Sequence, residues 1–393
     1  MRWEKVRLKD ICLKVISGGT PKSTELRFYM PKEVPWLKTG EVNFCRIYST
    51  ENYISLEGLK NSSARIIPEN SVIIAMYGQG DTAGRVAINK VPLCTNQACC
   101  NLIINSDVAN YEYIYYVLRT LYKKLVSLKN GGAQPNLNSE IIKSLEIDLP
   151  DLSTQHKIVS ILANYDDLIE NNQKQIKLLE EAAQRLYKEW FVDLRFPGYE
   201  QTKIIDGVPE GWKNNILSDI ADISMGQSPK SEFYNDKKDG LPFHQGVGSY
   251  GNRFVIDNVY TTSYTRIAEP DSILFSVRAP VGRLNRTKNR IVIGRGLSAI
   301  NHKKGCQGYL FYLLKNKFFK DNILGNGSIF ASISKDELAN QKLIIPTDSL
   351  VERFNSQVKS IDDKIDILDS QNELLKETRD RLLPKLMSGE IEV

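Results

Sequence analysis

The chain contains itself twice. Tyr113-Ile114-Tyr115-Tyr116-Val117-Leu118 returns as Tyr309-Leu310-Phe311-Tyr312-Leu313-Leu314, 196 residues later. The same shift carries Ile147, Leu149 and Pro150 onto Leu343, Ile345 and Pro346, and Asp166-Asp167 onto Asp362-Asp363. It also carries Leu178-Leu179 and Arg185-Leu186 onto Leu374-Leu375 and Arg381-Leu382. Earlier anchors repeat at larger offsets. Trp3 matches Trp212 at 209, Pro21-Lys22-Ser23 matches Pro229-Lys230-Ser231 at 208, and Gly84-Arg85 matches Gly282-Arg283 at 198. Two similar halves in one chain predict a pseudo-two-fold body, suited to a two-fold object or to two sites at a fixed spacing.

The early part of each half reads as a mixed α/β domain. Short apolar runs such as Ser71-Val72-Ile73-Ile74-Ala75-Met76 and Ser272-Ile273-Leu274-Phe275-Ser276-Val277, bounded by Gly, Pro and Asn, read as buried strands. The shrinking offset places extra residues in the loops of the first half. Constant apolar anchors with variable loops are how a shared scaffold carries different binding surfaces.

The late part of each half reads as a long helix. Ile158, Leu162, Tyr165, Ile169, Asn172, Ile176, Leu179, Ala183, Leu186 and Trp190 alternate four- and three-residue spacings. That is a heptad seam, and such a helix runs roughly 50 Å. The second copy gives Phe354, Val358, Ile361, Ile365, Leu368, Asn372, Leu375, Arg379, Leu382 and Leu386, with Pro384 expected to end or kink it near Leu383. The helices can pair with each other, parallel or antiparallel, or mediate homodimerisation. The acids Asp166-Asp167 and Glu180-Glu181 read as solvated helix faces.

At 393 residues the chain exceeds one compact core. The start Met1-Arg2-Trp3-Glu4-Lys5 leads into no apolar segment, and no 18-residue apolar run occurs. Six cysteines without paired spacing read as free thiols, so a reducing cytoplasm is expected. Catalytic signatures are missing. Gly246-Val247-Gly248-Ser249-Tyr250-Gly251 has dinucleotide-loop spacing, but strand-like Phe254-Val255-Ile256 follows where a helix is needed. His156, His244 and His302 stand in no zinc-binding frame, and neither a phosphate-binding P-loop nor a nucleophile elbow is present. The chain is therefore expected to bind rather than to catalyse, with no cofactor or metal of its own.

The loops point to DNA. From Ser272 to Lys320 there is no Asp or Glu, while Arg278, Arg283, Arg286, Lys288, Arg290 and Arg295 occur, with five lysines further on. Such a stretch reads as a phosphate-facing surface. Arg matches the edge of guanine, and Asn or Gln that of adenine. The candidate contacts are Lys38, Thr39, Tyr77, Gln79, Arg85 and Gln97 in the first half, and His244, Gln245, Arg278, Arg283, Arg290 and Arg295 in the second. Further glycine-rich loops, Asn130-Gly131-Gly132-Ala133-Gln134-Pro135-Asn136 and Gly325-Asn326-Gly327-Ser328, sit between strand-like segments. The rival reading is a tandem-domain scaffold that oligomerises through its helices and binds no DNA.

Several segments carry a family resemblance. They are the junction Leu149-Pro150-Asp151-Leu152-Ser153-Thr154-Gln155-His156-Lys157-Ile158 with Asp166-Asp167-Leu168-Ile169, the exit Leu186-Tyr187-Lys188-Glu189-Trp190-Phe191 with Arg195-Phe196-Pro197-Gly198, and the ending Leu382-Leu383-Pro384-Lys385-Leu386-Met387-Ser388-Gly389-Glu390-Ile391. Together they resemble the specificity subunits of type I restriction-modification enzymes. The second junction, Pro346-Thr347-Asp348-Ser349-Leu350, departs from the pattern by lacking the glutamine of the first.

The resemblance implies an α+β (mixed α/β) fold: two globular target recognition domains joined by two long antiparallel coiled-coil helices. On that reading residues 1–150 and 199–346 are the recognition domains, and 151–198 and 347–393 the helical regions. The seam would be Ile158, Leu162, Ile169, Asn172, Ile176, Leu179 and Leu186 against Val358, Ile361, Ile365, Leu368, Asn372, Leu375 and Leu382. Each domain would bind half of a bipartite double-stranded DNA site, the halves differing in sequence. The helices would set the spacer and dock two modification (methyltransferase) subunits, with restriction subunits joining. S-adenosylmethionine, ATP and Mg would belong to those partners.

Overall fold

A computed structural model describes residues 3–129, 136–318 and 332–393. The glycine-rich loops at 130–135 and 325–328 lie outside the described residues. The chain forms two compact units: Met1–Asn171 with Gln371–Val393, and Asn172–Ser370. Each unit holds one head, the near half of one long helix and the far half of the other.

In the first unit a five-stranded sheet runs in the order Cys12–Ser17, Cys99–Ile104, Val72–Ala75, Val86–Asn89, Cys45–Ile47, antiparallel except for its last pair. A four-stranded sheet packs on one face, in the order Tyr53–Ile54, Val34–Leu37, Leu93–Thr95, Ile66–Ile67. Between them Leu37, Val42, Ile67, Ile73, Ala75, Ala87 and Leu93 form a dry layer. The alternate residues Val72, Ile74, Val86 and Ile88 point to the other face, against the helix Tyr111–Thr120. Both faces of these strands are buried, which is why they read as unbroken apolar runs. The helix starts where Asn110 accepts hydrogen bonds from the backbone N–H groups of Glu112 and Tyr113, supplying partners that its first turn lacks.

The second unit repeats the plan. One sheet is Ala221–Met225, Leu297–His302, Ile273–Ser276, Leu284–Arg286; the other is Tyr234–Asn235, Tyr260–Thr261, Leu241–His244, Ile291–Ile293, Ile267–Ala268. Val72 opposes Ile88 in the first unit, and Ile273 opposes Arg286 in the second. Gly84 and Gly282 both turn with positive φ, 90° and 87°. The repeat read from the sequence is thus a repeat of ladder register.

The long helices are Leu152–Phe191 and Asp348–Met387. In the first unit Ile158 and Leu162 share a core with Leu383 and Leu386. Lys157 reaches the Val393 carbonyl and Arg379 pairs with Asp166, so the two segments run antiparallel. In the second unit Ala183, Tyr187 and Trp190 pack with Val351, Phe354 and Val358. Among the seam residues, Ile158, Leu162, Ile169, Asn172, Val358, Ile365, Leu368 and Asn372 are buried; Ile176, Leu179, Leu186, Ile361, Leu375 and Leu382 are half-buried.

Three expectations need correction. The second helix does not stop at Leu383: Pro384 lies inside it, and Ser388 N–H bonds back to the Pro384 carbonyl. Its missing N–H falls in the last turns, where Leu383 and Leu386 are anchored in the core. Asp166 is not solvated: it accepts the Tyr116 hydroxyl at 2.6 Å and pairs with Arg379. The acid-free stretch is not one basic face. Arg286 is buried against Asp362 and Asp271, Lys288 pairs with Asp369, and Lys304 pairs with Asp348.

The missing glutamine at the second junction has a visible consequence. Gln155 is fully buried, accepts the Asn110 N–H at 2.8 Å and donates to the Pro150 carbonyl at 2.8 Å. The repeat puts Val351 at that place, 4% exposed, with no side-chain polar group to bridge the backbone.

Candidate nucleic-acid interface

In each head, among the described residues, the second sheet holds one pair of neighbouring parallel strands whose chains leave it side by side. In the first, Trp36 and Leu37 lie in register with Cys94 and Thr95, and Asn96 N–H bonds to the Leu37 carbonyl at 2.9 Å. Lys38 and Gln97 emerge together there, both exposed. The turn after Val72–Ala75 joins them, because Met76 N–H bonds to the Ala98 carbonyl at 2.8 Å. It carries Tyr77, exposed Gln79 and half-buried Arg85, which pairs with Asp81 at 2.6 Å. The Lys38 ammonium lies 5.3 Å from the centre of the Trp36 ring.

The second head repeats the frame with different side chains. Phe243 and His244 are in register with Val292 and Ile293, and Gly294 N–H bonds to the His244 carbonyl at 2.9 Å. Gln245 and Arg295 emerge side by side, and Val277 N–H bonds to the Gly296 carbonyl at 2.9 Å, bringing the turn with Arg278 and Arg283 alongside. Gln245, Arg278, Arg283 and Arg295 are all exposed. Among the described residues, neither Arg278 nor Arg295 has a carboxylate within ion-pairing distance.

One side of this end is fixed backbone. Gly18 N–H bonds to the Cys99 carbonyl and Gly226 N–H to the Leu297 carbonyl. A Cβ would lie 2.1 Å from the Asn96 carbonyl oxygen at Gly18 and 2.2 Å from that of Gly294 at Gly226. Only glycine admits such an approach.

Three candidates do not belong to this surface. Thr39 is 9% exposed and His244 1%. The His244 ring nitrogens contact the Ser249 hydroxyl at 2.8 Å and an Asp257 carboxylate oxygen at 3.0 Å. Arg290 precedes Ile291–Ile293, whereas Arg295 follows that strand, so Arg290 lies at the opposite end of the sheet, where it pairs with Glu269 at 3.2 Å. Ser228 was missed. Its hydroxyl donates to Gln245 Oε1 at 2.7 Å and accepts the Arg295 N–H at 3.2 Å, locking the two emerging loops together. The only sequence signal near it is the repeated Pro-Lys-Ser just beyond Gly226, which is common to both halves.

Among the described residues, no group of His, Cys, Asp and Glu could hold a metal ion, and no helix is long and apolar enough to cross a membrane. Burial raises the thiols, Cys12 and Cys100 to about 12, which leaves them poor nucleophiles. What the heads present is a set of guanidinium, ammonium and amide groups on loops held by rigid strands.

Comparison with known proteins agrees with that chemistry. The chain is 29% identical to the type I restriction enzyme MjaIX specificity subunit of Methanocaldococcus jannaschii, over 100% of this chain and 94% of the relative. It is 24% identical to the HindI specificity subunit of Haemophilus influenzae, over 73% and 79% of the two chains. The crystal structure of a type I restriction-modification S subunit from M. genitalium matches its fold with a TM-score of 0.58 at 17% identity, covering 98% of this chain and 96% of that one. The family model described as the type I restriction modification DNA specificity domain matches twice, at residues 1–181 and 209–383, so the chain belongs to the type I restriction-modification DNA-specificity family.

Proposed function

We propose that this chain is the DNA-sequence specificity subunit of a type I restriction-modification system, and that each head reads one half of a bipartite double-stranded DNA site. The observation that carries this reading is the pair of loop clusters at matching strand ends: Lys38, Tyr77, Gln79, Arg85 and Gln97 in one head, Gln245, Arg278, Arg283 and Arg295 in the other. Arginine and glutamine can pair bidentately with base edges, and cations neutralise phosphates. The side chains differ between heads while the frame repeats, so the two half-sites differ in sequence.

The recognition domains are residues 1–150 and 199–346; 151–198 and 347–393 are spacer helices whose seam holds register. Two methyltransferase subunits dock on the helices, and restriction subunits complete the assembly. The chain itself carries out no chemistry. S-adenosylmethionine, ATP and Mg reside on the partners.

The test is fluorescence anisotropy of the chain with its methyltransferase partner on duplexes covering the methylated sites of the source genome. Binding that prefers those duplexes and weakens as salt rises is expected. Salt-insensitive or absent binding to every duplex refutes the reading and leaves the oligomerising scaffold.

A further inference from the structure

Two aspartates at equivalent places of the repeat are neutralised in different ways. Asp166 and Asp362 are 196 residues apart, as are their hydroxyl partners Tyr116 and Tyr312, at 2.6 and 3.3 Å. In the first unit the cation comes from the second long helix, as Arg379. The repeat places Ala183 where Arg379 stands, and Ala183 is fully buried. In the second unit the cations come from the head: Arg253, and Arg286 at 2.8 Å. Asp362, Arg253 and Arg286 are 5%, 3% and 5% exposed.

A buried carboxylate needs a partner, because removing one member of such a pair strands the other charge away from water. Arg253 also pairs with Glu180 at 3.3 Å, and its guanidinium lies 4.5 Å from the centre of the Phe311 ring. Both arginines belong to the head by sequence, yet both face the helices. The first head has Ile88 at the ladder position of Arg286. On the strand beside Ile88 it carries Arg46, which pairs with Asp167 and Glu170 of the first long helix rather than with Asp166. The first head thus offers one helix-facing cation and none at the place of Arg286, and Asp166 takes its cation from Arg379.

We propose that Asp362 with Arg253 and Arg286 forms an ionic key that positions the second head on its helical segment and makes that segment reject heads lacking these two cations. The key involves neither the loop cluster nor DNA, so its failure and the failure of the DNA-reading proposal are separable.

The test uses thermal denaturation of the full chain. The double variant Arg253→Ala/Arg286→Ile should melt roughly 10 °C lower than the parent, the scale expected for a stranded buried charge. Adding Ala183→Arg, which reproduces the arrangement of the first unit, should recover at least half of that loss. In the parent background the same Ala183→Arg should lower the melting temperature, because Asp362 already has two cations and the added one is buried beside them. Asp362→Asn provides the check if the double variant does not fold: added to it, Asp362→Asn should restore folding by removing the stranded charge. Ala183→Arg destabilising both backgrounds alike, a double variant melting like the parent, or no recovery with Asp362→Asn would each overturn the key.

Discussion

The hydroxyl of Tyr116 donates to Asp166 at 2.6 Å, joining the helix behind the first head's sheet to the first long helix. Burial of the phenol and the nearby carboxylate push the Tyr116 hydroxyl far above its ordinary range, so it stays a donor at any working pH. A hydrogen bond to a charged acceptor contributes about 1.5–3 kcal/mol. Tyr116→Phe should therefore destabilise the first unit by about 2 kcal/mol in chemical denaturation. No change would mean that Arg379 alone suffices for Asp166.

The loop cluster makes a positional prediction about binding. Arg295→Ala should weaken specific DNA binding by about 1–3 kcal/mol. Arg290→Ala, at the other end of the sheet and paired with Glu269, should change the dissociation constant less than about two-fold, since an exposed pair contributes little. Anisotropy titrations of both variants with the methyltransferase partner decide it. Equal losses would show that DNA is not engaged through one end of the head.

Gln155 closes the junction between the first head and its helix. Gln155→Val imports the residue found at the second junction and leaves the Asn110 N–H and Pro150 carbonyl without their partner. Each unsatisfied buried group costs about 1–3 kcal/mol. The loss should appear as faster amide exchange at residues 108–112 and 150–155, with the second unit unchanged.

His302 links the second unit to pH. Burial, then the neighbouring Lys304 ammonium, hold its pKa below the ordinary imidazole value. Its Nδ1 accepts backbone N–H groups from Lys304 at 3.1 Å and Cys306 at 3.3 Å, which requires the neutral ring. A histidine depressed on folding contributes stability that is complete above its unfolded pKa, about 6.5. That stability is lost as the pH falls through the lower folded value. The melting temperature of the parent relative to His302→Asn should thus fall between pH 7 and pH 5. A constant difference would show that His302 does not titrate in that range.

The frame was legible in the sequence because its signals are periodic. Heptads and short apolar runs reflect packing that each segment must satisfy locally. The partners of Asp166 and Asp362 were not, since they come from Arg379, Arg253 and Arg286, far along the chain. A charge with a distant counter-charge looks like a solvated one until the fold brings them together. His244 and Gln245 show the finer limit. His244 ends a strand and turns inward, while Gln245 begins the loop and turns out, and strand alternation resolves them only once the strand's last residue is known.

The glycines at 18 and 226 leave no room for a side chain beside the emerging loops. Each head therefore has one wall that point mutation cannot redecorate and another, carrying Gln79 and Gln97 or Arg278 and Arg295, that it can. In a saturation-mutagenesis map scored for DNA preference, Gly18 and Gly226 should appear as loss-only positions flanked by positions where sequence preference switches. Diversification of target choice is then channelled to one side of each head, and a lineage can acquire a new half-site without rebuilding the turn that holds it.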